Sequence, residues 1–227
     1  MRVFNTGDLH LGHKVITKYR DNFSSIEEHD SVILDNFAKL SKKDIVIIHG
    51  DFIFQSEKYD YYIELLKKMS CRMKLILGNH DTLKLYKENR LPNLEIQLPL
   101  YTYKGFWMSH CPIHSDEMRN RVGNIHGHTH KYSIDDERYY NVSLDVHDYK
   151  FIEFDMILEK FKKEHGLVRL AKDCSKKEKL NFYIAIGAAF VLEGFFNAKL
   201  FSSSMDGGLI EGFIWATITA SFNVVFS

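Results

Sequence analysis

The stretch Ile45-Val-Ile-Ile-His-Gly-Asp51 joins a run of apolar, β-prone residues to a glycine and a carboxylate. Because the run is almost wholly apolar, it predicts a strand that is buried on both faces. Four other blocks rich in metal-ligand side chains lie nearby in the sequence, at Asp8-Leu-His10, Gly78-Asn-His-Asp81, His110 and Gly127-His-Thr-His130. Three of these four also follow apolar, β-prone runs. Since open α/β sheets place their sites at strand ends, the pattern predicts a metal centre assembled from distant segments.

The sequence around these blocks, in the first half of the chain, alternates between strand and helix patterns. Strands are predicted at residues 2–5, 44–48 and 72–77, and helices at residues 25–40 and 57–69. The first helix begins with the capping box Ser25-Ile-Glu-Glu28 and carries apolar residues mostly at helical spacing. Such β-α-β alternation favours a layered α/β architecture.

After Pro92 the pattern becomes rich in strands. These strands are predicted at residues 94–98, 100–104, 106–109, 124–126, 139–145 and 150–154. A closing helix is predicted over residues 156–164, with Asp155 as its cap and Gly166 at its end. The two halves together predict an α/β (α+β) domain in which two β-sheets pack face to face with helices outside.

Composition and charge exclude several classes of protein. Lysine plus arginine and aspartate plus glutamate balance at 30 each, so no global field recruits nucleic acid or acidic lipid. The cysteines, Cys71, Cys111 and Cys174, are too few and too scattered for a disulfide framework, which favours a reducing compartment. Cys111 is expected to be a small buried side chain. The chain enters its first predicted strand at once, so no cleavable signal peptide is predicted.

The last part of the chain differs sharply in composition from the rest. Residues 166–180 form a basic connector, and residues 181–227 contain only four charged side chains: Glu193, Lys199, Asp206 and Glu211. Two apolar stretches, 182–201 and 209–226, flank a turn-like segment rich in Ser and Gly. Each stretch approaches the ~20 residues of a membrane-spanning helix. The sequence therefore predicts an apolar helical hairpin in a membrane, with the preceding lysines keeping residues 1–165 on the cytoplasmic side.

Two acidic residues leave other interpretations of this tail open. Glu193 and Glu211 lie within or at the edge of the apolar stretches, and a carboxylate at the centre of a bilayer costs ~2.5–3.5 kcal/mol. One alternative is a hairpin that mediates oligomerisation of a soluble cytoplasmic protein. The other is an incomplete segment, since the chain stops abruptly after its last apolar residues.

In order and spelling, the five blocks resemble those of the calcineurin-like metallophosphoesterase family, in particular its small bacterial and phage-type members. The resemblance covers residues 1–160 and is specific, because all five blocks are present in register. It implies a four-layer β-sandwich flanked by helices and a centre that holds two divalent metal ions. Nothing in the resemblance covers residues 181–227.

The resemblance also assigns ligands to the two ions. It implies that Asp8, His10 and His130 bind the first ion, that Asn79, His110 and His128 bind the second, and that Asp51 bridges both. A carboxylate can bridge because its two oxygens offer several lone pairs. Oxygen and imidazole ligands select ions such as manganese, iron, zinc or nickel rather than a thiolate-type centre, and manganese is the expected ion.

The activity implied by the resemblance is hydrolysis of a phosphomonoester or phosphodiester, by in-line attack of a metal-bridging hydroxide on phosphorus. His80 would protonate the leaving oxygen, and Asp81 would orient the His80 ring. The candidate contacts to the substrate are His13, Arg20 and His114. For His13 and Arg20, a structural hydrogen bond that fixes their loop is an equal alternative.

Two other functions stay open from the sequence. One is a catalytically silent scaffold of the same fold that binds a phosphorylated or protein partner at a membrane, although the complete ligand set argues against it. The other is a membrane-active tail regulated by the first domain. The motifs shared with the family contact only the phosphate, so they do not specify the rest of the substrate. The sequence does not specify the oligomeric state either. Nucleic acid is considered only as a substrate.

Overall fold

Two mixed β-sheets form the centre of the first of two compact units, which span Met1–Ala171 and Lys172–Ser227. The structure is a computed structural model. It describes residues 1–82, 90–166, 177, 179–188, 191, 199, 210 and 214.

The larger sheet has five strands within the described ranges. They are β1 (Val3–Thr6), β2 (Ile45–His49), β3 (Arg72–Ile76), β4 (Leu94–Gln97) and β9 (Ile152–Glu153). Their order is β4-β3-β2-β1-β9, with β1 to β4 parallel and β9 antiparallel to β1. The register pairs Thr6 with Ile48 and Ile48 with Leu75, so the carboxyl ends of β1, β2 and β3 lie side by side.

The smaller sheet has four strands among the described residues. They are β5 (Leu100–Tyr103), β6 (Phe106–Ser109), β7 (Gly123–His126) and β8 (Tyr139–Asn141), in that order across the sheet. β5 is antiparallel to β6, whereas β6, β7 and β8 are parallel. The carboxyl ends of β6 and β7 therefore meet at one edge, as they do in the larger sheet.

In the part of the chain that the structure describes, three α-helices flank the sheets: α1 (Ile26–Ala38), α2 (Tyr59–Lys67) and α3 (Phe154–Glu164). Side chains of α1 and α2 pack on one face of the larger sheet, where Val46 and Ile48 are buried. Ile47 faces the other way, into a second core between the sheets that also contains residues of α3. This alternation confirms that β2 is buried on both faces, as its apolar sequence predicts.

The predicted arrangement of two sheets with flanking helices is confirmed, while some boundaries differ. The strand predicted over 139–145 ends at Asn141, and a 3₁₀ helix, Leu144–Val146, follows it. Asp155 lies in the first turn of α3, which begins at Phe154, so it does not cap the helix. The finer prediction of four layers stays a prediction.

The second unit is described only in part. Residues 179–188 are helical, and the apolar side chains Phe182, Tyr183 and Ile184 are exposed. Among the described residues, no helix combines the length and the apolar character needed to cross a bilayer. Most of the predicted hairpin at 181–227, and most of the basic connector at 166–180, lies outside the described residues.

Candidate metal centre

Each of the five ligand-bearing blocks begins within two residues of the carboxyl end of a strand. β1, β2 and β3 supply three blocks from the larger sheet, and β6 and β7 supply two from the smaller sheet. The two edges meet where the backbone N–H of His128 donates to the carboxylate of Asp8, at 2.9 and 3.1 Å. The fold thus brings the five blocks together at one place.

The first ligand group consists of Asp8, His10 and His130, whose ligand atoms lie within 4.8 Å of one another. Asp8 and His10 are buried, and neither ring nitrogen of His10 has a hydrogen-bond partner among the described residues. Because an unpaired buried polar atom is costly, the group fits a metal ion that would bind one of these nitrogens. Burial, helped by the charge of Arg20, lowers the pKa of His10 to about 2, and neutral imidazole is the form that binds metals.

The second ligand group consists of Asn79, His110 and His128. The Oδ1 atom of Asn79 lies 2.9 Å from His110 Nε2 and 3.1 Å from His128 Nδ1, and these two nitrogens are 3.1 Å apart. Three ligand atoms at such spacing can share one ion at the usual bond lengths of ~2.0–2.2 Å. Asn79 and His128 are exposed, so this group is more open to solvent than the first.

Asp51 turns one carboxylate oxygen toward each ligand group. Its Oδ2 lies 3.6 Å from His10 Nε2, and its Oδ1 lies 3.7 Å from His110 Nε2. Gly50 permits this approach, because its φ is +81° and a Cβ there would lie only 2.2 Å from His110 Nδ1. A carboxylate in this position can bridge two ions.

The second ring nitrogen orients two of the ligand histidines. His110 Nδ1 donates to the backbone oxygen of His49 at 2.7 Å, and His130 Nδ1 donates to the carboxylate of Asp145 at 2.9 Å. Each ring therefore leaves Nε2 for an ion, which is the usual arrangement of metal-bound histidine. The hydrogen bond with Asp145 raises the pKa of His130, although burial acts in the opposite direction.

Arg20 lies in the interior, so the predicted contact with substrate is wrong. Its side chain is fully buried, and its guanidinium donates to both oxygens of Asp145, at 3.1 and 2.7 Å. It also donates to the backbone oxygen of Asp8 at 2.6 Å and lies 2.7 Å from His29 Nε2. His29 Nδ1 in turn contacts Asp30 at 2.7 Å. Arg20 thus has the structural role that was the alternative in the sequence analysis, because its hydrogen bonds fix the backbone around Asp8.

Arg20, Asp145, His29 and Asp30 form a buried network that contacts Asp8 and His130 of the first ligand group on the side away from solvent. Asp30 also accepts hydrogen bonds from the Gly12 amide, at 3.0 Å, and from the Tyr62 hydroxyl. Burial would raise the pKa of Asp145, but hydrogen bonds from His130 and Arg20 hold that pKa below its ordinary range. Sequence reasoning missed Asp145; its only signal was its position at the end of the segment predicted as a strand over 139–145.

Backbone strain is concentrated at the predicted ligands. Five of them have positive φ: Asp8 (56°), His10 (50°), Asp51 (53°), His128 (69°) and His130 (50°). A non-glycine residue in this region costs ~1–3 kcal/mol and persists only where the surrounding structure holds it. Such residues cluster at functional sites, which agrees with a centre whose ligands are fixed before an ion binds.

His80, the predicted general acid, is exposed and has its ring centroid 5.4 Å from that of His10. Its backbone N–H donates to Asp51 Oδ1 at 2.9 Å. This bond fixes the backbone of His80, and its ring lies beside His10 of the first ligand group. The position suits proton transfer to a substrate, and His80 is not part of either ligand group.

Asp81 does not orient the ring of His80, so that prediction is wrong. Its carboxylate accepts hydrogen bonds from the backbone amides of Gly78, Asp51 and Phe52, each at 2.8 Å. Burial raises the pKa of Asp81 to about 6, although the amide bonds act in the opposite direction. Asp81 therefore holds the turn that carries Asn79 against the segment that follows β2.

A cleft of about 520 Å³ opens over the first ligand group. Its lining residues are His10, His13, Ile16, Tyr19, His80, His130, Lys131, Tyr132 and Asp145. The ring of His13 stacks on Phe54 with centroids 3.9 Å apart, and burial lowers the pKa of His13. His13 thus forms part of the wall of this cleft. His114 is not in this lining; it is 74% exposed and caps the 3₁₀ helix Ser115–Met118 through a bond from the Asp116 amide.

Cys111 is exposed, so the expectation of a buried side chain is wrong. Its sulfur lies within 4.8 Å of ligand nitrogens of His110 and His128. A thiol therefore stands beside the second ligand group, which the residue types of the five blocks did not indicate.

The chain belongs to the calcineurin-like phosphoesterase family, whose model matches residues 1–184. The matched region contains all five ligand-bearing blocks. Family membership agrees with the buried clusters of Asp and His described above, since this family typically binds two divalent ions.

Individual proteins similar to this chain include a phage protein and two solved structures. The Gene 66 protein of Mycobacterium phage L5 is 30% identical in an alignment of 156 positions that covers 55% of this chain and 75% of the phage protein. AQ665 of Aquifex aeolicus, a protein of unknown function, matches with a TM-score of 0.55 and 23% identity, over 70% of this chain and 98% of that one. A novel archaeal phosphodiesterase is 17% identical with a TM-score of 0.37, over 68% of this chain and 99% of that one. The likeness to AQ665 shows a shared α/β fold.

Proposed function

We propose that this chain is a metal-dependent phosphoesterase that hydrolyses a phosphomonoester or phosphodiester at a centre of two divalent ions. The observation that carries the proposal is the position of Asp51, whose oxygens lie 3.6 and 3.7 Å from histidines of different ligand groups. The unpaired buried nitrogens of His10 and membership of the family support the same proposal.

The roles of the residues follow from their positions. When bound, a pair of divalent ions activates water and stabilises the charge that develops on phosphate. Asp51 and the two ligand groups hold those ions, and the cleft admits the ester beside His10, His80 and His130. His80 donates a proton to the leaving oxygen, since its exposed ring faces this cleft. His13 contacts a phosphate oxygen from the cleft wall.

Manganese is the proposed native ion, with iron, zinc and nickel as alternatives. The ligands of the two groups are carboxylate or amide oxygens and imidazole nitrogens, which suit ions of this kind. Cys111, beside His110 and His128, is the one neighbouring group among the described residues that favours a softer ion such as zinc.

The test is hydrolysis by the purified full chain with added manganese. A paired aryl phosphodiester and aryl phosphomonoester serve as substrates, and Asp51→Asn is the control. The expected result is hydrolysis that requires the metal and disappears in the control, with the ratio of the two rates giving the ester preference.

Two outcomes of this experiment would contradict the proposal. A folded protein that binds two ions yet hydrolyses neither ester would favour the scaffold that binds a phosphorylated or protein partner. A folded protein that binds no manganese, iron, zinc or nickel would remove the basis of both functions.

Residues 181–227 are proposed to attach the protein to a membrane, with 1–165 as the phosphoesterase domain on the cytoplasmic side and 166–180 as a basic connector. This proposal rests on the apolar sequence of 181–227 and on the lysines that precede it. Fractionation of cells that express the full chain tests it. Recovery in the membrane fraction, with release only by detergent, is expected, and recovery in the soluble fraction would contradict it.

A further inference from the structure

Tyr19 and Tyr132 line the same cleft as the metal ligands His10 and His130. The two tyrosines are 68% and 80% exposed, respectively. Single exposed aromatic residues are ordinary on protein surfaces, whereas apolar surface gathered at one cleft marks a place where a ligand binds. The pair therefore indicates that the cleft receives more than a bare phosphate.

Short local hydrogen bonds fix the backbone of both tyrosines. The N–H of Tyr19 donates to Ile16 O at 2.9 Å, and the N–H of Tyr132 donates to Thr129 O at 2.9 Å. The backbone oxygen of Tyr132 also accepts from Asn141 Nδ2 at 3.2 Å. The segment that carries Tyr132 also bears His130 of the first ligand group, and the segment that carries Tyr19 follows His10 in the chain. Because the backbone is already held, stacking has to immobilise only the ring and not the segment that carries it.

Tyr61 gives an internal comparison. It is also exposed, at 58%, but it lies on α2 and lines a different groove. That groove is bordered by acidic side chains, among them Glu27, Asp35 and Glu57, and it contains no member of either ligand group. Tyr61 therefore represents an ordinary exposed tyrosine of this protein.

The side chains that line the cleft indicate the chemical class of ligand that the cleft binds. Lys131, the neighbour of Tyr132 in the chain, also lines the cleft and adds a positive charge. Aromatic faces together with a cation are the means by which proteins bind nucleobases and their phosphates regardless of base identity. The cleft volume of about 520 Å³ suits a small ligand, since such sites measure ~300–1,000 Å³.

The overall charge limits the length of such a ligand. Basic and acidic residues balance at 30 each, whereas proteins that follow a long nucleic acid neutralise many phosphates with lysine and arginine. A mononucleotide or a dinucleotide therefore fits the protein better than an extended strand.

We propose that the substrate is a small nucleoside phosphoester, whose base stacks on Tyr19 or Tyr132 while its phosphate lies at the first ligand group. This inference rests on the proposed function, which places the phosphate at the metal centre. It adds that the phosphate is esterified to a nucleoside. Tyr19 and Tyr132 determine specificity, and they take no part in breaking the P–O bond.

The test compares two ligands that differ only in the base. Adenosine 5′-monophosphate and ribose 5-phosphate are titrated by calorimetry into the full chain carrying His80→Ala and loaded with manganese, because this variant should keep both ions while hydrolysing the ligands too slowly to consume them during the titration. Stacking of one base strengthens binding by about tenfold or more, so the nucleotide should bind at least that much more tightly. Both ligands carry the same phosphate, so the contribution of the metal centre is common to both.

Variants identify the surface responsible for the difference. Tyr19→Ala or Tyr132→Ala should remove most of the base-dependent gain and leave the affinity for ribose 5-phosphate unchanged, and the corresponding Phe variant should retain the gain. Tyr61→Ala is the matched control and should behave like the unaltered chain. Because all three tyrosines are exposed, these changes should leave the unfolding temperature unaltered.

Equal affinity for the two ligands would overturn the inference, as would a gain that persists when both cleft tyrosines are replaced by alanine. Metal-dependent hydrolysis without base-dependent binding would refute this inference and leave the phosphoesterase in place. Base-dependent binding without hydrolysis of any ester would refute the phosphoesterase and leave the nucleotide cleft in place.

Discussion

The two ligand groups are built in different ways, although the same fold carries both. In the first group, Asp8 and His10 are buried, and the hydroxyl of Ser143 donates to the Asp8 carboxylate at 2.5 Å. In the second, Asn79 and His128 are exposed and contact each other directly, at 3.1 Å. The protein interior thus holds most of the first group, whereas in the second group His110 is buried and the other two ligands lie on a turn and a loop at the surface.

This difference indicates how the centre assembles. The buried network of Arg20, Asp145, His29 and Asp30 holds Asp8 and His130 of the first ligand group through contacts between protein groups. Ligands arranged in advance lose little conformational entropy when they bind an ion, so the first group should bind more tightly. The exposed second group should exchange its ion more readily.

Among variants that keep both ions, the largest expected effect comes from His80, which belongs to neither group. His80→Ala should slow turnover by about 10²–10⁴-fold, the range typical of a lost general acid. Both ions should be retained, because the side chain of His80 contacts the cleft and is not a ligand in either group. Steady-state rates and metal content by elemental analysis measure the two properties separately. Loss of an ion from this variant would show that His80 is a ligand and that its proposed role is wrong.

Asp145→Asn should affect one ion only. Removing the partner of His130 Nδ1 should weaken the ion of the first group by about 10–100-fold, as loss of an outer hydrogen-bond partner does. The second ion should bind as before. Metal titration by calorimetry distinguishes the two steps. Asp136→Asn is the matched control, since this carboxylate contacts Arg138 and not a predicted ligand.

If Asp145→Asn weakened both ions equally, the two groups would not be independent. If it weakened neither, the buried network would have no role in metal binding, and the contrast between the groups would lose its physical basis.

A smaller effect is expected on the rate at which the ions leave. A chelator should remove the two ions in two phases, with the exposed second group releasing its ion first. Asn79→Ala should accelerate the fast phase several-fold and leave the slow phase unchanged, because the hydrogen bonds of the Asn79 side chain among the described residues go to His110 and His128 of its own group. A single phase in the unaltered chain, or a faster slow phase in the variant, would contradict the comparison.

The smallest expected effect concerns the choice of metal by the second group. Since the Cys111 sulfur lies within 4.8 Å of ligand nitrogens of His110 and His128, Cys111→Ser should lower zinc affinity a few-fold and leave manganese affinity unchanged. Competition between the two metals measures this preference. Cobalt gives an independent check, because a sulfur ligand produces a charge-transfer absorption band that the variant should lack. Unchanged zinc binding and an unchanged cobalt spectrum would exclude Cys111 as a ligand.

The sequence was sufficient for the features that depend on neighbouring residues. The alternation of Val46, Ile47 and Ile48 between two cores follows from a strand of uniformly apolar residues. The gathering of the five blocks likewise follows from their positions at strand ends, which parallel strands bring to one edge.

Features that depend on contacts between residues far apart in the chain could not be predicted from the sequence. Arg20 and Asp145 are 125 positions apart, and nothing local marks them as a buried pair. Asp81 adjoins His80 in sequence, yet its carboxylate points to three backbone amides instead. The exposure of Cys111 likewise depends on how the turn after β6 is oriented, which residue type alone does not determine.

The most direct test of the two-ion centre is a crystal structure of the full chain grown with manganese, with the ions located by anomalous scattering. Two peaks about 3.5–4 Å apart should appear, each bound by one ligand group, with one oxygen of Asp51 on each ion. The same experiment on Asp51→Asn should show the pair lost. A single peak, or two peaks that do not share Asp51, would contradict the proposed centre.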